Sequence, residues 1–219
     1  MTKTALNSPS PWSANLMAQN LIEHLLRLKG RHIIAIAGAP GSGKSTLSEY
    51  LAIALNQRSP GSAAIVPMDG FHFDDAVLHA RGMYARKGAP FTFDVGGMAA
   101  LFRRLKENTE DEIAVPVFDR SLEISRAGGR LIANTTPLLL VEGNYLLLNQ
   151  PPWTLLRPFF GLGVFLSVPV AELERRLVQR WIDHGLDPAA ARKRANDNDL
   201  ENAKLIAGHS APADFTLTE

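Results

Sequence analysis

The sequence predicts a three-layer α/β fold, a five-stranded parallel sheet with helices on both faces. Three observations carry this expectation. Short, nearly all-apolar runs alternate along the chain with stretches of helical spacing. The first run leads into a glycine-rich turn followed by a helical pattern, and the second and third runs stop at acids, Asp69 and Glu142. The chain has 219 residues, 46% of them hydrophobic and 21% charged, which suits a single domain with a substantial core.

Residues 1–11 contain Ser-Pro-Ser-Pro and read as a loose arm. Over residues 12–29, Met17, Leu21, Leu25 and Leu28 recur at helical spacing, and Gly30 is placed to end that helix. Residues 1–30 thus form an N-terminal arm and helix. Residues 32–37 (HIIAIA) are apolar and β-branched, as a central strand buried on both faces requires. Residues 44–57 read as a helix, and residues 63–68 as a second strand ending at Asp69. Residues 137–141 read as a third strand, 163–168 as a fourth and 214–217 as a fifth. Helices are expected over 95–107, 171–184 and 188–207, the last opened by Asp187 and Pro188. Residues 70–136 are too many for one crossover, so a helix and a hairpin pairing 115–119 with 130–133 are expected there. Insertions beside strand ends are where open α/β sheets bind ligands.

The net charge of +1 provides no bulk field toward nucleic acid or an anionic membrane. The chain has no cysteine, which excludes disulfides, zinc–thiolate sites and thiol nucleophiles and fits a reducing cytoplasm. The most apolar run, residues 137–148, is too short to span a bilayer and carries Glu142 in its middle. Lys3 is followed by polar residues rather than by the apolar core of a signal peptide. The expected setting is cytoplasmic, without nucleic-acid or membrane partners, as a monomer or homodimer.

Gly38-Ala39-Pro40-Gly41-Ser42-Gly43-Lys44-Ser45 matches G-x-x-x-x-G-K-[ST], with Thr46 next in the helix. Glycines let the backbone curl so that successive N–H groups point inward at phosphate oxygens, and the following helix adds the positive end of its dipole. Lys44 is placed to reach the β- and γ-phosphates of ATP, and the Ser45 hydroxyl to ligate Mg²⁺. A buried strand before the motif and a helix after it separate this reading from a chance glycine turn. Asp69 and Glu142 belong on the same sheet edge. One of the two can take a substrate hydroxyl proton and the other can hold Mg²⁺, directly or through water. Either acid can instead cap a turn, because Asp-Gly and Glu-Gly are turn dipeptides. No Asn-Lys-x-Asp guanine motif occurs, so a GTPase is not expected.

Gly38–Ser45, Met68-Asp-Gly-Phe-His72, Arg86-Lys-Gly-Ala-Pro-Phe-Thr-Phe-Asp94, Pro116-Val-Phe-Asp-Arg120 and Val141-Glu-Gly-Asn-Tyr145 occur in a fixed order. In order and spacing they resemble the phosphoribulokinase/uridine kinase/bacterial pantothenate kinase superfamily, from Ile33 onward. Within it the chain looks most like the fructose transport system kinase, or uridine-kinase-like, branch, of which the Asn198-Asp199…Asn202-Ala203 stretch is typical. The resemblance implies a P-loop NTPase fold with sheet order 2-3-1-4-5, Asp69 as catalytic base and Glu142 as a magnesium-side carboxylate. It also implies a mobile helical lid over residues 172–184 within a lid region of 172–195.

On residues 171–184, Leu173, Leu177 and Trp181 recur every four residues toward the core, while Arg176 and Arg180 share another face. Arginines closing from a lid neutralise charge on a transferring phosphoryl group. The acceptor pocket is expected within residues 70–136, with His72, Tyr84, Arg86, Asp119 and Arg120 as candidates and Glu142 at its edge. No motif identifies the acceptor. By branch resemblance a sugar, fructose, comes first. Uridine stays open through Phe71, Tyr84 and Phe93, and pantothenate through the Arg-Lys-Gly string. A nucleotide-binding regulator without turnover is the non-enzymatic alternative.

Overall fold

The structure, a computed structural model, describes residue 12 and residues 14–218. The expected arm over residues 1–11 lies outside the described residues. The chain then runs α1 (Leu16–Leu25), β1 (His32–Gly38), α2 (Lys44–Arg58), β2 (Ala63–Pro67), α3 (Asp75–Ala80) and α4 (Val95–Glu107). There follow β3 (Glu112–Asp119), β4 (Ile124–Ala133), β5 (Leu138–Gly143), β6 (Phe160–Ser167), α5 (Val170–Asp183), α6 (Pro188–Arg194), α7 (Glu201–His209) and β7 (Phe215–Thr218).

Five strands form one parallel sheet in the order β2-β5-β1-β6-β7. Counted along the sheet's own strands this is the expected order 2-3-1-4-5. Strand β1 lies at the centre and divides its side chains between two cores. Ile33, Ala35 and Ala37 pack with α4, Tyr145, Trp153 and Ile206 on one face. Ile34 and Ile36 pack with α1, α2 and Leu217 on the other. Burial on both faces is what an unbroken apolar strand requires. β3 and β4 make a separate antiparallel hairpin inside the β2–β5 connection as expected, but its register differs: residues 112–115 pair with 130–133, and residues 117–119 pair with 124–126 past a shift after Val115.

Three further expectations change. The first helix ends at Leu25, because Arg27 and Leu28 bond back only three residues, to the carbonyls of His24 and Leu25. Its buried face is Ala18, Leu21, Ile22 and Leu25, and Met17 is 41% exposed. Second, β2 stops at Pro67, and Met68–Phe71 form a 3₁₀ turn that swings Asp69 off the strand line. Third, the helix expected over 188–207 does run from Pro188 to His209, but Ala195–Leu200 form a π turn in its middle. Helix α3, in the acceptor-side connection, was not legible as a separate element.

The hairpin is seated against the Met68–Phe71 turn at one tight point. A methyl group on Gly70 would lie 2.5 Å from the Pro116 carbonyl oxygen. Gly70→Ala is therefore expected to destabilise the fold by about 1–3 kcal/mol, the usual range for overpacking against backbone. Thermal unfolding of the variant checks this, and an unchanged midpoint would mean that hairpin and turn are not held in register here.

Candidate active site

The carboxyl ends of β1, β5 and β2 come level. Ile36 stands opposite Glu142, and Glu142 opposite Pro67, so the chain leaving each strand opens onto one edge. Between β1 and α2 the chain curls through Gly38–Gly43. Gly43, the residue before the helix, has φ 86°, a left-handed conformation that glycine adopts without strain. A side chain on Gly38 would sit 2.9 Å from the Leu166 carbonyl oxygen, so the loop can leave the sheet only as glycine. Lys44, 7% exposed, donates from Nζ to the Ala39 carbonyl at 2.9 Å. Burial lowers its pKa to about 8, and the nearby charges of Glu142 and Asp69 oppose that shift.

Facing Lys44 are the two strand-end acids. Glu142 Oε2 accepts from Ser45 Oγ at 3.2 Å. Burial pushes its carboxyl up, as does the charge of Asp69, while Lys44 pulls it down. Asp69 Oδ2 accepts from Arg120 Nη2 at 2.9 Å. Among the described residues, Oδ1 of Asp69 has no hydrogen-bond partner. His72 donates from Nδ1 to the Asp69 carbonyl at 3.0 Å, and its ring packs on Phe93 and Phe118 at 4.0 and 5.1 Å between centroids. Burial pushes the His72 imidazole down, which favours the neutral ring.

The third wall is helical. Leu177 of α5 packs on the phosphate loop, its Cγ 3.3 Å from where a Gly41 side chain would begin. One turn further on, Trp181 donates from Nε1 to Asp199 Oδ2 at 2.7 Å. Asn198 accepts from Arg86 Nε at 2.9 Å and donates to the Lys87 carbonyl at 3.0 Å. The three walls enclose a cavity of about 710 Å³.

Most expected residues meet there. Pro40, Gly41, Gly43, Lys44, Ser45, Thr46, Asp69, His72, Arg120, Glu142 and Arg180 line the cavity, and Gly38, Ala39 and Ser42 shape the loop behind it. Four lie outside the lining. Tyr84 stacks on His79 at 4.0 Å. Arg86 is bound to Asn198 and Asn202. Asp119 accepts from Ser121 and pairs with Arg126 at 3.4 Å. Arg176 is held by Glu172 at 2.7 Å and by the Gly41 carbonyl at 3.3 Å. Sequence reasoning gave no role to Asn198, Asp199 and Asn202, which also line the cavity, and read Trp181 as core. Their signal is a set of polar, weakly helix-forming residues inside a helical stretch, which need outside partners to be tolerated there.

No family model matches the chain. A Schizosaccharomyces pombe protein named "Putative uridine kinase C227.14" is 32% identical over 207 residues, covering 91% of this chain and 88% of that protein. The chain belongs to the uridine kinase/pantothenate kinase family of P-loop kinases. It is thus a phosphotransferase whose relatives include ATP-dependent kinases. A pantothenate kinase of Yersinia enterocolitica is 26% identical over 181 residues, and the match covers 78% of this chain and 57% of that enzyme's length. A crystal structure from Silicibacter sp. TM1040, described as that of a "putative fructose transport system kinase", matches with a TM-score of 0.85 at 45% identity, covering 92% of this chain and 98% of its own. In this P-loop kinase no described helix is long and apolar enough to cross a membrane.

The lowered Lys44 pKa gives an expected pH dependence for a triphosphate held at Lys44. Lys44 is charged below about pH 8, and an incoming triphosphate favours the charged form. The pKa therefore rises on binding, a proton is taken up above pH 8, and affinity falls by up to about tenfold per pH unit there. Calorimetric ATP titrations between pH 7 and 9, in buffers of different ionisation heat, check this. Constant affinity without proton uptake would contradict it.

Proposed function

We propose that the chain transfers the γ-phosphate of ATP to a hydroxyl of a small, neutral, hydroxyl-rich acceptor, a sugar first among the candidates. The observation that carries this is the juxtaposition in one cavity of buried Lys44, the Ser45–Glu142 pair and Asp69 with one carboxylate oxygen unengaged. Lys44 and the loop backbone hold the β- and γ-phosphates. Asp69 takes the proton of the acceptor hydroxyl as the hydroxyl oxygen attacks the γ-phosphorus and the β–γ bridging oxygen leaves with ADP, and Arg120 on Oδ2 fixes the carboxylate so that Oδ1 meets the hydroxyl. Arg180, which lines the cavity, offsets charge on the transferring oxygens. Arg176, already bound to Glu172 and to the loop carbonyl, anchors α5 on the loop and acts through Arg180's placement.

Ser45 and Glu142 would hold Mg²⁺. Their side-chain oxygens lie 3.2 Å apart, both are hard donors, and Mg²⁺ needs only one or two protein ligands beside phosphates and waters. When bound, the ion would supply positive charge that offsets the negative charge of the phosphates.

Charge pairing supports a neutral acceptor. Lys87 is bridged to Asp75 at 2.7 Å and to Glu123 at 3.3 Å, Arg120 to Asp69, and Arg126 to Asp119. Arg86 is engaged by two asparagines. The cations that would receive a carboxylate or phosphate thus already have partners, which weighs against pantothenate and sugar phosphates. The 45% identical relative described as a fructose transport system kinase supports a sugar. The Schizosaccharomyces pombe relative keeps uridine as the second reading, with Phe118 in the cavity wall available to a base.

Two experiments test this. Asp69→Asn is expected to bind ATP as the wild type does and to lose transfer by at least about 10²-fold, as for loss of a general base; a wild-type rate would move the role of base to Glu142. Turnover of fructose, uridine and pantothenate at matched concentration is expected to favour fructose. Preference for uridine or pantothenate overturns the sugar assignment, and tight ATP binding without turnover of any acceptor favours the regulator.

A further inference from the structure

The π turn Ala195–Leu200 packs polar side chains where a plain helix would not place them. Such turns concentrate at functional sites, since the extra residue re-aims its neighbours. Asn198 is buried, and its amide accepts from Arg86 and donates to the Lys87 carbonyl. Asp199, the next residue, reaches the cavity instead. Its Oδ2 accepts from Trp181 Nε1 at 2.7 Å, and among the described residues Oδ1 has no hydrogen-bond partner. Burial pushes this carboxyl up, with the Trp181 bond and then Arg180 and Arg194 pulling the other way. None of the steps assigned above uses it.

Asn198 ties the π turn to the acceptor-side connection through Arg86 and the Lys87 carbonyl, and Lys87, Gly88, Asn198 and Asp199 line the cavity together. From the proposed base, His72 packs on Phe93 at 4.0 Å and Phe93 on Tyr145 at 5.8 Å. The Tyr145 hydroxyl donates to the Gly88 carbonyl at 2.6 Å, and a side chain on Gly88 would begin 3.9 Å from the Asn198 amide. This line of contacts runs behind the cavity wall from the Asp69 side to the π turn. A carboxylate oxygen in such a place accepts from hydroxyl groups and repels carboxylates and phosphates. A ligand hydroxyl that donates to this oxygen makes a hydrogen bond to a charged group, which an analogue lacking that hydroxyl cannot make.

We propose that Asp199, held in place by Trp181, is a specificity-determining contact that accepts a hydrogen bond from a second hydroxyl of the acceptor, one that is not phosphorylated. This rests on the acceptor reading above and narrows it to molecules with at least two suitably spaced hydroxyls. Trp181 is a positioning residue, fixing the carboxylate through its indole N–H.

The test uses the full chain with ATP and whichever of fructose, uridine and pantothenate the wild type turns over fastest, together with analogues of that acceptor each lacking one hydroxyl. Asp199→Ala is expected to raise the acceptor KM by roughly tenfold or more, as for a lost hydrogen bond to a charged group, and to leave the ATP dissociation constant unchanged. One deoxy analogue is expected to lose at least roughly tenfold in kcat/KM with the wild type and almost nothing further with Asp199→Ala. Trp181→Phe, which keeps a ring but removes the donor, is expected to raise the same KM by less. A wild-type acceptor KM in Asp199→Ala, or unchanged sensitivity of that variant to every deoxygenation, overturns the inference while the kinase reading stands. Loss of ATP binding in both variants makes the residues structural and also overturns it. Failure of the wild type to phosphorylate any of the three acceptors removes the acceptor reading itself, and this inference with it.

Discussion

A lysine ammonium buried at the start of α2 dictates much of what surrounds it. Lys44 is almost withdrawn from solvent, and an ammonium there is tolerated only with a carbonyl to receive its proton and negative charge close by. The Ala39 carbonyl meets the first need, and the loop must curl tightly for it to do so. Glu142 and Asp69 meet the second, Glu142 at the end of β5 beside β1 and Asp69 in the turn after β2, the next strand out. The order β2-β5-β1 satisfies this, since each acid then leaves the sheet on the edge where the loop stands. The same requirement raises Glu142, whose burial beside a second acid would be costly without Lys44 and Ser45.

The walls away from the sheet are held by polar contacts over long sequence separations. α5 spans two of them, with Leu177 against the phosphate loop and Trp181 against the π turn. The Tyr84–Gly88 segment of the β2–β5 connection is tied to the same turn through Arg86 and the Lys87 carbonyl, and Arg194 donates to the Ala85 carbonyl at 3.2 Å. The phosphate-loop end and the π-turn end of the cavity thus share one helix. A shift of α5 on the loop would be felt at Asp199, a geometry suited to a lid that closes over both partners of a transfer.

What the sequence reveals and what it withholds follows from the range of the interactions. The loop, β1 and the two strand-end acids were legible because their signals are local: an apolar run, glycines at fixed spacing, and acids at run ends. The β3–β4 hairpin was legible from two apolar stretches around a polar turn. Arg86 and Asp119 were placed in the acceptor wall by residue type, yet their partners, Asn198 for one and Arg126 with Ser121 for the other, turn them aside. Trp181 keeps the four-residue spacing of Leu173 and Leu177, so periodicity reads it as core and misses its indole bond to Asp199. The π turn leaves no trace in hydrophobic periodicity, because it depends on Arg86, more than a hundred residues away.

The central claim, that this cavity joins ATP to a second molecule for direct phosphoryl transfer, is tested most directly by following the phosphate. ATP labelled in its γ-phosphate, incubated with the chain and Mg²⁺ in the presence and absence of acceptor, can be read by phosphorus NMR and mass spectrometry. Expected is ADP formation that requires the acceptor and matches, mole for mole, label on an acceptor oxygen. Label released as inorganic phosphate at the same rate with and without acceptor would contradict direct transfer.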